Sequence, residues 1–190
     1  MPTGSLRFKV ATEDWEFDQI HQLNYRTFVE EIPQHPPNCE RRLVDKFHHE
    51  NTYLICLEGN KLQGMVAVRD RRPFSLDDKL ANLDDDLPPY RSMCEFRLLA
   101  IEKDRRHAAI LQGLATLLGQ YCEERDYDLA VMSGTVKQAR LYRHLGFVPF
   151  GPLVGTPEAR FQPMYLTRAA YETLKRTLRR SDTDARPSGI

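Results

Sequence analysis

The alternation across residues 92–146 constrains the fold of this chain more than any other feature. SMCEFRLLAIE, ILQGLATLLGQYCEE, YDLAVMSG and VKQARLYRHLG follow one another. They read as strand, helix, strand and short helix, the last stopped at Gly146. Parallel strands joined through a helix need a right-handed crossover, which lays that helix on one face of a sheet. Upstream, TYLICLE and KLQGMVAVR flank Gly59-Asn60 and predict a tight hairpin. LRFKVA (6–11) predicts a first strand. Thr12 is placed to cap a helix carrying Trp15, Ile20, Leu23 and Phe28 at helical spacing. The prolines of EIPQHPPNCE (31–40) require a loop, and the polar stretch 71–90 predicts a long loop with a short helix. FVPFG and FQPMYLT are further strand candidates, followed by a helix over 168–180. The expected fold is α/β: one domain over 1–180, a mixed sheet with helices on both faces, and a polar tail over 181–190 expected to be disordered.

Composition removes several classes of function. With 190 residues the chain can bury one sizeable core. Charged residues make up 28% but cancel to zero net charge, which argues against a general nucleic-acid binder. No run approaches the roughly 18 apolar residues needed to span a bilayer. MPTGSLRFKV lacks the apolar stretch of a secretion signal. Cys39, Cys56, Cys94 and Cys122 form no CxxC pair and fit a reducing cytoplasm. His48-His49-Glu50 lacks the spacing of a metal motif, so no metal is expected. Cys94 has no paired histidine to activate it and reads as core.

ARLYRHLGF (139–147) closes the strand–helix alternation. It resembles the second helix of the GNAT superfamily of N-acyltransferases, which reads A-x-x-L-Y-x-x-x-G-F. Ala139, Leu141, Tyr142, Gly146 and Phe147 match. The resemblance implies a single GNAT domain whose sheet splays where a thioester donor enters. It gives Tyr142 the place of the acid that protonates the departing thiolate, a task suited to a phenol that is neutral at pH 7. On the residues alone, Leu141, Tyr142 and Leu145 suit a packing helix equally well.

EKDRRHAAILQGLA (102–115) falls where that superfamily carries R/Q-x-x-G-x-G/A. There a glycine turn and a helix dipole hold the pyrophosphate of coenzyme A. Arg106 fits, but Ala109 and Leu111 replace small residues and His107 replaces a further glycine. A firm grip on pyrophosphate is therefore not expected. The resemblance leaves Leu99, Ala100 and Ile101 to pair their backbone with a pantetheine arm, with Arg105, Arg106, Ala109 and Arg140 nearby. The donor is then acyl-CoA, or an acyl-phosphopantetheine on acyl carrier protein, an acidic partner for the basic residues at 105–107 and 137–144. A solvated face would use the same charges.

YRTFVEE (25–31), DKFHHENTYLI (45–55), VAVR (66–69) and CEFRLL (94–99) occur in that order. The set is similar to one GNAT branch, the acyl-homoserine lactone (autoinducer) synthases and the long-chain N-acyl amino acid synthases. Arg26, Phe28, Asp45, Arg69, Glu95 and Arg97 match that branch. RTF sets its aromatic close to Arg26, and His48 stands where a second acid is common. The resemblance implies that Arg26, Phe28, Asp45, Arg69 and Arg97 bind the small-molecule acceptor. Strand parity places Glu95 and Arg97 on one face. Glu95 could take the proton of an attacking amine, directly or through water, while an arginine keeps it ionised. The arginines could hold a carboxylate by bidentate contact. A structural ion network between the N-terminal segment and the sheet would use the same residues.

The expectation is an N-acyltransferase with Glu95 as base and Tyr142 as acid. It moves an acyl group, long-chain by the branch resemblance, from acyl carrier protein or acyl-CoA to the amine of a small acceptor such as an amino acid. An acetyl-CoA-dependent N-acetyltransferase and a non-catalytic acyl-binding module stand as alternatives. A cavity lined by large apolar residues favours a long chain; a plugged one favours acetyl.

Overall fold

The structure, a computed structural model, describes residues 5–106 and 108–184, with side chains as far as residue 177. The readings made on His107 and on tail residues 185–190 lie outside the described residues. The elements are β1 (Leu6–Val10), α1 (Asp14–Tyr25), β2 (Thr52–Glu58), β3 (Lys61–Arg69), β4 (Met93–Ile101), α2 (Ala108–Glu124), β5 (Leu129–Thr135) and α3 (Ala139–His144). Then come β6 (Val148–Pro149), β7 (Val154–Gly155), β8 (Arg160–Thr167) and α4 (Arg168–Asp184). One mixed sheet runs β1-β2-β3-β4-β5-β8-β6, with β7 against β8. β4 and β5 pair parallel, as a helical crossover requires, and the other pairs are antiparallel.

Helices cover both faces. Ile20 and Leu23 of α1 pack on Tyr53, Ile55, Met65, Ala67 and Ala100. Ile110 and Leu114 of α2 pack on Cys56 from the other side, with Phe8, Leu99 and Ile101 alongside. This two-sided burial is why β2 and β3 read as continuous apolar runs. Gly59, at φ +60°, supplies the left-handed residue of the turn between them.

The structure departs from the sequence reading at several points. The residue that caps α1 is Glu13 rather than Thr12. Glu16 reaches back to accept from the Thr12 and Glu13 N–H groups, at 2.8 and 3.1 Å, and also takes Lys9 Nζ at 2.7 Å. α1 runs on through a π-helical turn, Arg26–Glu31, which carries Phe28 into the core. The stretch 71–90 is polar in composition but buries Phe74, Leu76 and Leu83 against Met93, Leu129, Val131 and Phe150. Arg72 ties it together, reaching Asp77 at 2.8 Å and Asp84 at 2.6 Å. α4 continues to Asp184, past the expected end at 180.

β4 and β5 part company midway. Their ladder ends at Phe96 and Met132. On its other edge β4 is bulged: Met65 faces Ala100 and Ala67 faces Arg97, so Leu98 and Leu99 together oppose Val66. Leu98 takes φ +54°, a left-handed conformation unusual for a leucine. The extra residue resets the alternation of β4. Phe96 and Leu99 share the α2 face, while Ala100 faces α1.

Candidate active site

A cavity of about 200 Å³ sits at this splay, between the sheet, α2 and α4. Phe96, Leu99 and Met132 line it from the strands, Tyr142 and Phe147 from α3 and its end, and Tyr171 and Leu174 from α4. From α2 come Leu111, Leu114, Leu118 and Cys122, which recur at helical spacing along one face. From Leu111 to Glu123 the lining follows about 18 Å of helix at the usual rise. The space is long, narrow and overwhelmingly apolar.

Three polar groups stand at the splay. Tyr142 is buried on α3 and donates its hydroxyl to Gln138 Oε1 at 2.9 Å, and Thr135 Oγ1 bonds the same oxygen at 3.1 Å. Burial pushes the phenol pKa up to about 12, so it keeps its proton across the physiological range. Its ring lies on Gly134, where a Cβ would come within 2.7 Å of it. Ser133 Oγ is buried on the cavity wall without a hydrogen-bond partner among the described residues. The Ser133 carbonyl is the third. Ser133 opposes Pro163, whose own carbonyl accepts from Phe150 N at 3.0 Å on the far side of β8. In an antiparallel ladder this turns the Ser133 carbonyl towards the β4 side, past the end of the β4–β5 ladder. An extended, amide-bearing arm laid between the strands would find an acceptor there.

The acidic and basic residues singled out by sequence gather on the α1 face around an aromatic that the sequence reading passed over. Arg97 holds Asp45 through both nitrogens, at 2.8 and 2.9 Å, and its Nε lies 3.3 Å from Glu95. Arg69 is 1% exposed. It reaches Glu50 at 2.8 Å and the Pro73 carbonyl at 2.9 Å. Both guanidiniums lie over the ring of Phe47, 3.8 Å for Arg69 and 4.7 Å for Arg97. An aromatic directly after Asp45-Lys46 was the available signal. Burial pushes the Asp45 pKa up, but Arg97, Asn51 and the Phe47 N–H more than offset it, leaving the carboxyl below its usual range.

Glu95 is 1% exposed, and both of its oxygens are occupied. It accepts from Ser75 N at 2.8 Å, Ser75 Oγ at 2.6 Å and Leu76 N at 3.2 Å, which pins the 71–90 loop to β4. Of the two routes expected for its proton chemistry, direct contact with an amine is therefore blocked in this arrangement. Ser75 Oγ is the neighbouring hydroxyl able to pass a proton on. A chain of polar rings continues outward. Arg42 lies 3.4 Å from His21 Nδ1, His21 Nε2 lies 3.4 Å from His48 Nδ1, and Tyr53 Oη lies 3.3 Å from the same nitrogen. Asn51 links Tyr53 Oη, at 3.2 Å, to Asp45, at 2.9 Å.

The remaining site residues are dispersed. Arg26 pairs with Glu102, and Phe28 packs in the α1 core. Of the arginines expected to grip a carboxylate, Arg26, Arg69 and Arg97 each already face an acid. Leu99 lines the cavity, whereas Ala100 packs under α1 and Ile101 beside Ile110. Ala109 is exposed on the first turn of α2. Arg105 and Arg106 pair with Glu58 at 2.8 Å and Glu31 at 2.6 Å, both at the half-exposed start of α2. Arg140 is exposed on α3; among the described residues it, Lys137 and Arg143 have no ion-pair partner. Among the described residues no cluster of His, Cys, Asp and Glu could hold a metal ion, and no helix is long and apolar enough to cross a membrane.

The comparisons with known proteins bear on this geometry. A family model described as "N-acyl amino acid synthase FeeM" matches residues 19–170. No curated protein matches the sequence. Among solved structures, BjaI, a CoA-dependent acyl-homoserine lactone synthase solved with MTA, superposes with a TM-score of 0.73 at 19% identity, covering 91% of this chain and 89% of that one. The acyl-homoserine lactone synthase LasI gives 0.71 at 16% identity, covering 90% and 96%. FeeM, an N-acyl amino acid synthase from uncultured soil microbes, gives 0.68 at 16% identity, covering 90% and 96%. At such identities the superpositions establish a shared GNAT-like fold.

Proposed function

Because this chain belongs to the FeeM family of N-acyl amino acid synthases, we propose that it moves a long acyl chain from a phosphopantetheine thioester to the amine of an amino acid. Membership makes it an acyltransferase that acylates an amine; chain length, carrier and acceptor are our reading. The observation that carries this reading is the apolar cavity leading from the splay past Tyr142. An acetyl group would leave most of its roughly 200 Å³ unfilled, and unfilled apolar space forfeits binding energy.

The pantetheine arm lies between β4 and β5, bonding to the backbone of 99–101 and to the Ser133 carbonyl. The thioester carbonyl meets a backbone N–H at the Leu98–Leu99 bulge, which stabilises the oxyanion formed when the amine attacks. The acceptor binds from the α1 side, over Phe28 and the Asp45–Arg97 pair. Its proton passes through Ser75 Oγ to Glu95, and Tyr142 protonates the departing thiolate. Arg69 and Arg97 fix this framework rather than gripping the acceptor, since both are already paired.

We favour acyl carrier protein as the carrier. Its supports are Lys137, Arg140 and Arg143 beside Tyr142, which have no ion-pair partner among the described residues, and the ion pairs that already engage Arg105 and Arg106 at the start of α2. Acyl-CoA is the second reading, favoured by the CoA-dependence of BjaI. Purified protein is to be mixed with acetyl, octanoyl and palmitoyl thioesters of each carrier and a panel of amino acids, and followed by thiol release and product mass. Long-chain N-acyl amino acids, formed faster from carrier protein, are expected. Product from acetyl donors alone would overturn the long-chain reading. Ser75→Ala should lower kcat with KM little changed if the relay operates; an unchanged kcat removes it.

A further inference from the structure

Two residues far apart in sequence meet in the cavity wall. Leu111, Ala115, Gly119 and Glu123 form one row along α2, four residues apart, and all line the cavity. The row shrinks from Leu111 to Ala115 to Gly119 and then ends in a charge. Tyr171 of α4 fills the space left at Gly119. A Cβ on that glycine would lie 2.6 Å from Tyr171 Cζ and closer still to its hydroxyl. No side chain other than hydrogen at 119 is compatible with Tyr171 in this position.

The open end of the slot is fixed by the sheet. β4 and β5 are joined as far as Phe96 and apart beyond it, so the splay opens towards Leu99, which packs with Leu114 near the start of α2. The far end lies where Cys122 and Glu123 of α2 line the cavity with Tyr127 and Asp128. A chain entering beside Leu111 therefore meets the Gly119 level about 12 Å along α2. Just past that level the lining turns polar, with Glu123 held by Lys175 of α4.

Building on the acyl-transfer reading above, we propose that Tyr171, seated on Gly119, sets the longest hydrocarbon chain this cavity accepts. Shortening the side chain at 171 opens the last part of the slot. Adding a methyl at 119 drives the phenol into it.

The test measures binding to the intact, unloaded protein, so it does not depend on turnover. Saturated fatty acids of increasing length displace a fluorescent fatty-acid probe from the wild type, Tyr171→Ala, Tyr171→Leu and Gly119→Ala, each first checked for a cooperative melt. Wild-type affinity should rise about fourfold per methylene, as burial of each group predicts, and then stop rising. In Tyr171→Ala and Tyr171→Leu the rise should continue for at least two further methylenes, about fifteenfold in affinity for the longest chains. In Gly119→Ala it should stop earlier. A plateau at the same length in every folded variant overturns the proposal while leaving the acyl cavity in place. If fatty acids of every length fail to displace the probe from folded wild type, the underlying reading falls and the proposal with it.

Discussion

Lowering the pH from 7 to 5 places a proton on residue 21 of the unfolded chain but not of the folded one. His21, on α1, is 6% exposed, with Arg42, Leu43 and His48 against it. Burial, then the charges of His48 and Arg42, lower its pKa from 6.5 to about 4, with Asp18 acting weakly the other way. The hydrogen bonds give the same sign. Arg42 stands at Nδ1, the nitrogen an added proton would occupy, so protonation sets two cations face to face. The depressed pKa means that the contribution is fully present above about 6.5 and is lost progressively as pH falls towards about 4. Between pH 7 and 5 the loss from this one group is about 2 kcal/mol. For a chain of this size that lowers Tm by about 4–8 °C. His48, lowered by burial and by His49, acts in the same direction. The assay is a thermal melt at both pH values for wild type and for His21→Gln, which keeps a donor and an acceptor but cannot titrate. The variant should lose markedly less stability on acidification. Equal losses in the two proteins refute the reasoning.

Other perturbations have equally definite outcomes. Asp45→Asn leaves Arg97 buried with half its charge partner removed and should cost about 3 kcal/mol in a urea titration. If Tyr142 is the acid proposed above, Tyr142→Phe should lower kcat about a hundredfold with KM little changed, because that acid acts on the leaving thiolate after the donor is bound. The basic limb of the wild-type rate should not follow Tyr142, whose pKa of about 12 keeps it neutral. Gly134→Ala pushes against the Tyr142 ring and should cost about 1–3 kcal/mol, with a change in near-ultraviolet circular dichroism that Ala elsewhere on β5 does not produce.

Much of the fold was legible because its signals are local. Short apolar runs marked β2, β3 and β5, and Gly59-Asn60 marked the hairpin. Strand parity alone foresaw that Glu95 and Arg97 would meet, and they lie 3.3 Å apart. What sequence left hidden depends on partners distant in the chain. Nothing near Arg105 or Arg106 announces Glu58 or Glu31, which pair with them. The leucine stripe of α2 carries the same pattern whether it packs solidly or walls a void. The difference lies in Ala115, Gly119 and an opposing tyrosine on α4. The buried apolar residues of 71–90 are too sparse to outweigh its aspartates and prolines in a composition window. They are held because Glu95, on a strand formed later in the chain, accepts from the loop backbone.

The left-handed leucine at position 98 changes when the entropy of making a binding slot is spent. A glycine there would adopt this bend and many others, leaving the ligand to select the open form at the expense of affinity. Leucine makes the bend costly, about 1–3 kcal/mol, and that cost is met once, during folding, by the sheet and core that surround it. The gap between the strands then stands ready before any donor arrives. If the donor lies in this gap as proposed, its binding should spend little on ordering the backbone, and its rate should follow encounter rather than rearrangement.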